Sequence, residues 1–591
     1  QDQEYFTDGI SEELLNVLAR VPDFHVAGRT SSFAFKGEEQ DLRKIAEMLG
    51  VENILEGSVR KSGDRIRITA QLVKADDGFH LWSETYDRTL DDIFAVQDEI
   101  AQAVVVALRA TLLGEEPATA RMAVTPAGNT EAYDLYLRAK FQMHKRTPES
   151  LKRALNYYEQ VIEMDPDYAP AWSGLAVAWE LSSMYSDVAP DVSHAEAEKA
   201  IQRAMELDDQ DADTWAALGL LLTDTRQFHE AEAALLKAIE LNPNHAMAHN
   251  WLGGALAVLD RRRRTEAFKR AFELDPLDLV ILSNYVSTML DSGNTNEARK
   301  AAEILEEIHP ETGYGASNLG HLAYQEGRLD DAVSWYLKAY RTAPERINNF
   351  VLLPHVLVDL NQIELADSWL RQAETLAPNS TSTLWGRHRW HLRQDDLAAL
   401  EAHARASLEK QPGFPPIVFS VALARMLRGD ITSAVELYES KIREPGPEGP
   451  GELTIGGFRV VFGSAYAAAL MQAGRTAEAM EVTNAAIAEL QQQQDQGIRY
   501  LLRNSIYRAL AANFAVRGER ERALAALRQS VADGDRASWW WKAQPVFASL
   551  RDDLGFITLV EEVEADVARQ RARLEEQGLL LTPEQALTAD L

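Results

Sequence analysis

The sequence predicts a mainly α protein, a solenoid of about eleven helical hairpins preceded by a small α+β domain with an antiparallel sheet. Three observations carry this. Prolines stand at Pro243, Pro276, Pro310, Pro344, Pro378 and Pro412, spaced 33, 34, 34, 34 and 34 residues, and a fixed period of that length marks stacked helical hairpins. Between Val51 and Tyr86 apolar residues alternate with period two, as in strands. Residues 114–129 (GEEPATARMAVTPAGN) lose periodicity and hold two Pro and two Gly, so they read as a linker between the two parts. The expected organisation is an α+β domain at 1–113, the linker at 114–129, and the solenoid at 130–534 with an interrupting loop at 445–453. A C-terminal helical cap at 535–577 and a flexible tail at 578–591 follow.

In the first domain, Ser11 to Arg20 carries Leu14, Leu15 and Leu18 at helical spacing, and Asp41 to Leu49 carries Leu42, Ile45, Ala46 and Leu49 on one face. Phe24 to Ala27 reads as a short strand. After Gly50 come Val51 to Arg60, a turn at Lys61-Ser62-Gly63-Asp64, and Arg65 to Val73 with Ile66, Ile68, Ala70 and Leu72 on one side. A second turn, Ala75 to Gly78, leads to a third strand, Phe79 to Tyr86, and residues 91–113 form a long amphipathic helix.

The composition excludes several classes. The 591 residues hold 60 Lys plus Arg against 91 Asp plus Glu, a net charge of −31, and no cysteine. Disulfides, thiolate metal sites, iron–sulfur clusters and cysteine nucleophiles are therefore absent. Residues 1–113 carry 12 basic and 21 acidic residues, so both parts are acidic and a phosphate backbone is an unfavourable partner. The most apolar run, Val460 to Met471, is about half the ~20 residues a bilayer crossing needs. The start, QDQEYFTDG, has no initiator Met, basic region or apolar region, and is expected to follow something removed upstream.

Within each 34-residue period a small residue falls eight positions in, Ala near position 20, an aromatic or Leu at 24 and a small residue at 27. The third unit shows Trp215, Leu218, Gly219, Leu222, Ala231, Leu235, Ala238 and Pro243, and the sixth shows Leu319, Gly320, Ala332, Tyr336, Ala339 and Pro344. This pattern resembles the tetratricopeptide repeat, which implies a right-handed α-solenoid with a concave binding face. Departures are local. The second unit has Asp209 in place of its proline, the fourth is one residue short around Arg261 to Arg264, and the eighth has Arg387 and His388 where Leu and Gly belong.

The strings DGISEELLNVLAR, RTSSFAFKG, LGVENILEGSVRKSGDRIRITAQLVKADDGFHLWSETYDR and IFAVQDEIAQAVV, within residues 4–108, resemble the TolB-type amino-terminal domain that precedes tetratricopeptide repeats in bacterial signalling proteins. The resemblance implies a further strand before the residues seen here. It also implies a transmembrane helix upstream and an effector such as a nucleotide cyclase or winged-helix domain, neither of them in this sequence.

The sequence holds no phosphate loop, GxGxxG after a strand, GxSxG elbow, HExxH or calcium loop. His245 and His249 stand i,i+4 and His388 and His391 i,i+3, spacings that place two imidazoles on one helical face, but His249, His388 and His391 fall at packing positions 4, 8 and 11 of their repeats, which is the reading preferred over a metal site. Arg261 to Arg264 reads as a solvated turn, and Trp539-Trp540-Trp541 as a hydrophobic cap on the open end of the solenoid. Trp385, Arg387, His388, Arg389, Trp390, His391 and Arg393 form a basic aromatic cluster, of which Trp385 and Arg389 fall at groove-lining positions able to meet an anionic ligand. Asn284 and Asn318 at position 6, with Asn250 one place earlier, are candidates to hydrogen-bond the main chain of an extended peptide, with His321 beside them.

The sequence reading is thus a non-enzymatic protein-interaction or ligand-sensing module with no cofactor and no metal. It is expected to be the periplasmic or extracytoplasmic part of a bacterial membrane-anchored receptor, with a cytoplasmic location as the alternative. The partner is a protein or peptide, not nucleic acid, and homo-oligomers are allowed. A free-standing scaffold and a small-molecule binder using residues 385–393 are the rival readings.

Overall fold

In the computed structural model, residues 4–19, 21, 24–36, 41–62, 65–89, 93–112, 130–186, 188–257, 259–410, 415–443, 458–495, 500–501 and 504–589 are described. The expected linker at 114–129, the loop at 445–453, and Gly63 and Asp64 of the first hairpin turn lie outside them. The chain packs as two compact units, Gln1–Tyr285 and Val286–Leu591. No helix among the described residues is long and apolar enough to cross a membrane.

The first unit opens with the helix Glu4–Ala19, and a shorter helix, Leu42–Leu49, is capped by the Asp41 carboxylate and ended by Gly50 at φ 64°. Three antiparallel strands follow in the order β1 (Asn53–Ser62), β2 (Arg65–Lys74), β3 (His80–Thr89). Val59 opposes Ile68, and Ile68 opposes Tyr86. Strand alternation puts Ile66, Ile68, Ala70 and Leu72 on one buried face, where they pack with Val96, Ile100 and Val104 of the helix Ile93–Leu112 and with Ile10 and Val17. On the opposite face Arg67 pairs with Asp87 at 2.7 Å.

Phe24 to Ala27 is not a strand. This stretch instead runs along the ends of the third and fourth repeats: the Asn244 amide donates to the carbonyls of Ala19 (2.9 Å) and Phe24 (2.7 Å), and Gly28 N donates to Leu274 O at 2.6 Å. Asp275 accepts from Ser31 N at 2.7 Å and from its hydroxyl. The first helix is also stitched to the repeats by charge. Glu12 meets Arg29 at 2.6 Å, Lys140 at 2.9 Å and His144 at 3.2 Å. Burial alone would raise the Glu12 carboxyl, but Lys140, His144 and Arg29 hold it well below the usual carboxylate range.

Helical hairpins fill the rest of this unit, from Thr130–Met143 with Pro148–Met164 through Ala246–Ala255 with Arg261–Leu274. The four arginines 261–264 form the first turn of a helix rather than a turn between helices, because the Asp260 carboxylate accepts from Arg262 N (3.0 Å) and Arg263 N (3.1 Å) as an N-cap. Arg262 pairs with Glu266 at 3.0 Å and Arg263 with Glu232 at 2.5 Å.

The second unit contains six hairpins among the described residues, from Tyr314–Gln325 with Leu329–Thr342 to Ile506–Val516 with Arg520–Ala532. Its last hairpin returns to its first. Gly534, at φ 105°, lies against Gln325 and Glu326 so closely that a Cβ would overlap the Gln325 carbonyl, and a Cβ on Gly327 would sit 2.6 Å from Gly534 O. The helix Leu554–Gln577 seals this closure. Its buried Gln570 accepts from Leu329 N at 2.5 Å and donates to Gly327 O at 2.8 Å, while Arg573 pairs with Asp330 at 2.5 Å.

Two expectations are corrected here. Residues 578–591 are no flexible tail over their described part: Pro583–Thr588 is a helix with a capping box, Ala586 is buried, and Leu581 O accepts from the Trp369 indole at 2.8 Å. Trp539-Trp540-Trp541 does not cap an open end. Trp539 and Trp541 are buried inside the closed unit, since an indole's large apolar area and single N–H are best satisfied where a carboxylate is within reach.

Alanine at Gly534 is expected to destabilise the chain by about 3 kcal/mol, left-handed backbone strain adding to overlap. Alanine at Gly429, also at positive φ but with nothing within 4 Å, should cost about 1 kcal/mol. Chemical denaturation of the two variants checks the difference.

Candidate functional site

The first helices of the second unit's hairpins face inward, and a short helix, Ser538–Ala543, lies across them with the 3-10 turn Pro545–Leu550. Between these elements is a cavity of about 350 Å³. Trp385, Phe419, Phe462, Trp540 and Phe547 give it aromatic walls, and His355, Ser382, Arg389, Ser464, Arg508 and Gln544 add polar groups. The Trp385 ring centroid is 5.7 Å from that of Trp540 and 6.0 Å from that of Phe419, so the wall is itself a packed aromatic cluster.

The polar side of the cavity is organised by Asp359, whose side chain is 3% exposed. It accepts from Arg389 (2.5 Å), the Tyr324 hydroxyl (2.7 Å) and the Trp539 indole (2.7 Å). Arg389 also donates to Tyr324 at 3.0 Å and lies over the Trp539 ring at 5.5 Å. Burial would lower the Arg389 guanidinium, yet Asp359 and Tyr324 raise it. Burial is likewise the main cause raising the Tyr324 hydroxyl. His355 places Nε2 3.0 Å from Ser382 O and Nδ1 3.4 Å from Arg389. Arg508 meets Asp535 at 2.9 Å. The Gln544 side-chain nitrogen is buried and has no hydrogen-bond acceptor. The site can therefore hold an aromatic or apolar body and offer a donor to a polar group on it.

The basic aromatic cluster of the sequence is neutralised within the fold. Arg387 pairs with Glu374 through Nε (2.7 Å) and Nη2 (2.9 Å) and with Asp367 at 2.6 Å. His388 and His391 are joined by His403, whose ring centroid lies 5.2 Å and 5.9 Å from theirs. Burial, reinforced by the neighbouring imidazoles, pushes His388 down to about 3. His391 is lowered by the same causes. The other histidine pair does not converge. His245 Nδ1 caps its helix by accepting from Ala248 N at 3.2 Å, and Nε2 lies 3.0 Å from Asp213. His249 instead places Nε2 3.2 Å from Pro243 O.

Of the residues singled out from the sequence, Trp385 and Arg389 both line the cavity. Asn250 and Asn284 meet in the first unit, where the Asn284 amide donates to Asn250 Oδ1 at 3.0 Å and Asn250 is buried. Asn318 donates to Tyr314 O at 2.9 Å, one helical turn back, and His321 is half-buried on the same helix. Sequence reasoning missed Asp359, Tyr324, His355 and His403. Asp359 carried one signal, an acidic residue in the apolar run Leu352 to Leu360, where a buried carboxylate requires partners.

Asparagine at Asp359 is expected to cost about 3–5 kcal/mol, since it leaves the Arg389 charge buried and uncompensated. Denaturation followed by tryptophan fluorescence reads it. For His388, folding favours the neutral ring, so between about 6.5 and about 3 the unfolded chain binds more protons and stability falls as the pH drops. His388→Phe should flatten that slope in acid-denaturation curves.

The tetratricopeptide repeat model matches residues 212–245 and 289–347. A curated Rhizobium meliloti (strain 1021) protein, "Putative adenylate cyclase 3", is 38% identical over 237 residues, 39% of this chain and 40% of that protein. Human protein O-mannosyl-transferase TMTC3 is 29% identical over 153 residues, 25% of this chain and 16% of that protein. The chain thus spans less than half the length of these relatives. Among solved structures, yeast Tom70 is similar at 14% identity and TM-score 0.36, covering 68% of this chain and 94% of that one. YrrB, a TPR protein with an unusual peptide-binding site, is similar at 19% identity and TM-score 0.26, covering 32% of this chain and 97% of that one. The chain carries tetratricopeptide repeats.

Proposed function

We propose that this chain is a non-enzymatic protein-interaction scaffold whose repeats recognise an extended peptide segment of a protein partner. The observation that carries the reading is the run of helical hairpins of tetratricopeptide type in which Asn250 and Asn284, one period apart, bring their amides to 3.0 Å. The half-buried Asn284 amide can offer a donor and an acceptor to a peptide main chain. Asn318 and His321 stand at the matching positions one period further along the sequence.

The wider setting we infer is the extracytoplasmic portion of a bacterial signalling receptor. The match to a protein named as an adenylate cyclase supports it, as does the resemblance of the first domain's sequence to the TolB-type domain. Among the described residues of that domain β1 has one strand neighbour, β2, and a cavity of about 940 Å³ lies along it, lined by Leu14, Leu18, Leu49, Ile54 and Leu55. An unpaired edge beside an apolar groove suits the further strand that the resemblance implies.

A second reading, favoured by the aromatic-walled cavity at Trp385 and Arg389, is that the second unit senses a small aromatic or amphiphilic molecule. Alanine at both Asn284 and Asn318 is expected to weaken binding of an identified partner about tenfold or more while leaving the melting transition of the chain in place. Capture with mass spectrometry identifies the partner, and titration against the double variant decides. Unchanged affinity counts against the peptide row, and loss through Trp385→Ala alone points to the cavity.

A further inference from the structure

We propose that Glu180, His194 and Asp224 form a binding site for one divalent transition-metal ion, with zinc the best match, that clamps three successive helices of the first unit. Glu180 comes from Ala169–Tyr185, His194 from Pro190–Leu207, and Asp224 ends Ala212–Asp224. One ligand atom from each lies within 4.8 Å of the others. His194 Nε2 stands 3.7 Å from Glu180 Oε2, too long for a hydrogen bond and short enough to share an ion.

The second observation is the state of Glu180. Its side chain is fully buried, and neither carboxylate oxygen accepts a hydrogen bond. A carboxylate in that position is costly unless a counter-charge reaches it. The groups facing it are a second carboxylate and an imidazole. One imidazole nitrogen and two carboxylate oxygens are a ligand set that suits zinc, with metal–ligand distances of about 2.0–2.2 Å. Around a tetrahedral ion the ligand atoms stand about 3.4 Å apart. The widest pair here must close by roughly an ångström, which the exposed Asp224 side chain can supply by rotation. Solvent on the Asp224 side leaves a coordination position for water. Because the ligands come from both helices of one hairpin and the first helix of the next, the ion would fix the junction between those repeats, stabilising the folded state in proportion to its occupancy.

The test uses the full chain stripped with chelator and titrated with zinc chloride alone by calorimetry, with cobalt absorption as a check on geometry. One ion per chain and a rise in melting temperature are expected. Glu180→Gln and His194→Ala should each weaken binding at least about tenfold and abolish the melting shift, while His229→Ala, at an exposed position elsewhere, leaves both unchanged. Absence of one-to-one uptake, or uptake that survives both ligand substitutions, overturns the proposal. Should either buried variant fail to fold, Asp224→Asn decides at an exposed position: unaltered binding sinks the site.

Discussion

Everything in the repeat array depends on how closely the first helix of each hairpin approaches the second. At Gly253 a Cβ would sit 2.8 Å from the Phe268 ring, and at Gly320 it would sit 3.2 Å from Tyr336. A side chain in these places would push the helices apart and break the stack, because each hairpin hides its apolar face only against its neighbours. Helix approach at one residue per period therefore sets the curvature, and curvature decides which side chains share an inner face. The Asn250 to Asn284 bond and the cavity at Trp385 are both consequences of that spacing.

In the second unit the array closes on itself, which turns an inner face into a cavity. Gln570 is the clearest agent: one buried amide serves Leu329 N, Gly327 O and Asp566 across more than two hundred residues of chain. Asp359 does the equivalent work inside, binding Arg389 from an inner helix and Trp539 from the returning segment. Buried ion pairs of this kind add little net stability once desolvation is counted. Their contribution is geometric, since only one placement of the returning segment satisfies the charge.

Features with local physical causes were legible in the sequence. Period-two alternation at Ile66, Ile68, Ala70 and Leu72 foretold the buried face of β2, and the 34-residue period foretold the hairpins. What was not legible involves partners distant along the chain. Phe24 to Ala27 has strand-like composition, yet the Phe24 carbonyl accepts from the Asn244 amide and the His25 ring meets the Glu273 carbonyl. The four arginines looked like a turn because charge suggested solvent, whereas Asp260 caps them into a helix. Glu180, His194 and Asp224 sit on three helices with no spacing to betray them. Trp385 and Arg389 were found by composition and Asp359 was not, since a single acid in an apolar run carries no period.

The net charge of −31 can now be traced to its local exceptions. Within the basic stretch 385–393, Arg387 is held by Glu374 and Asp367 and Arg389 by Asp359. Two of the arginines at 261–264 are paired as well, Arg262 with Glu266 and Arg263 with Glu232. When the basic residues of an acidic chain are spent on internal pairing, the field outside is more uniformly negative than the residue counts alone suggest. Such a field repels phosphate backbones and speeds encounter with partners that carry a basic face.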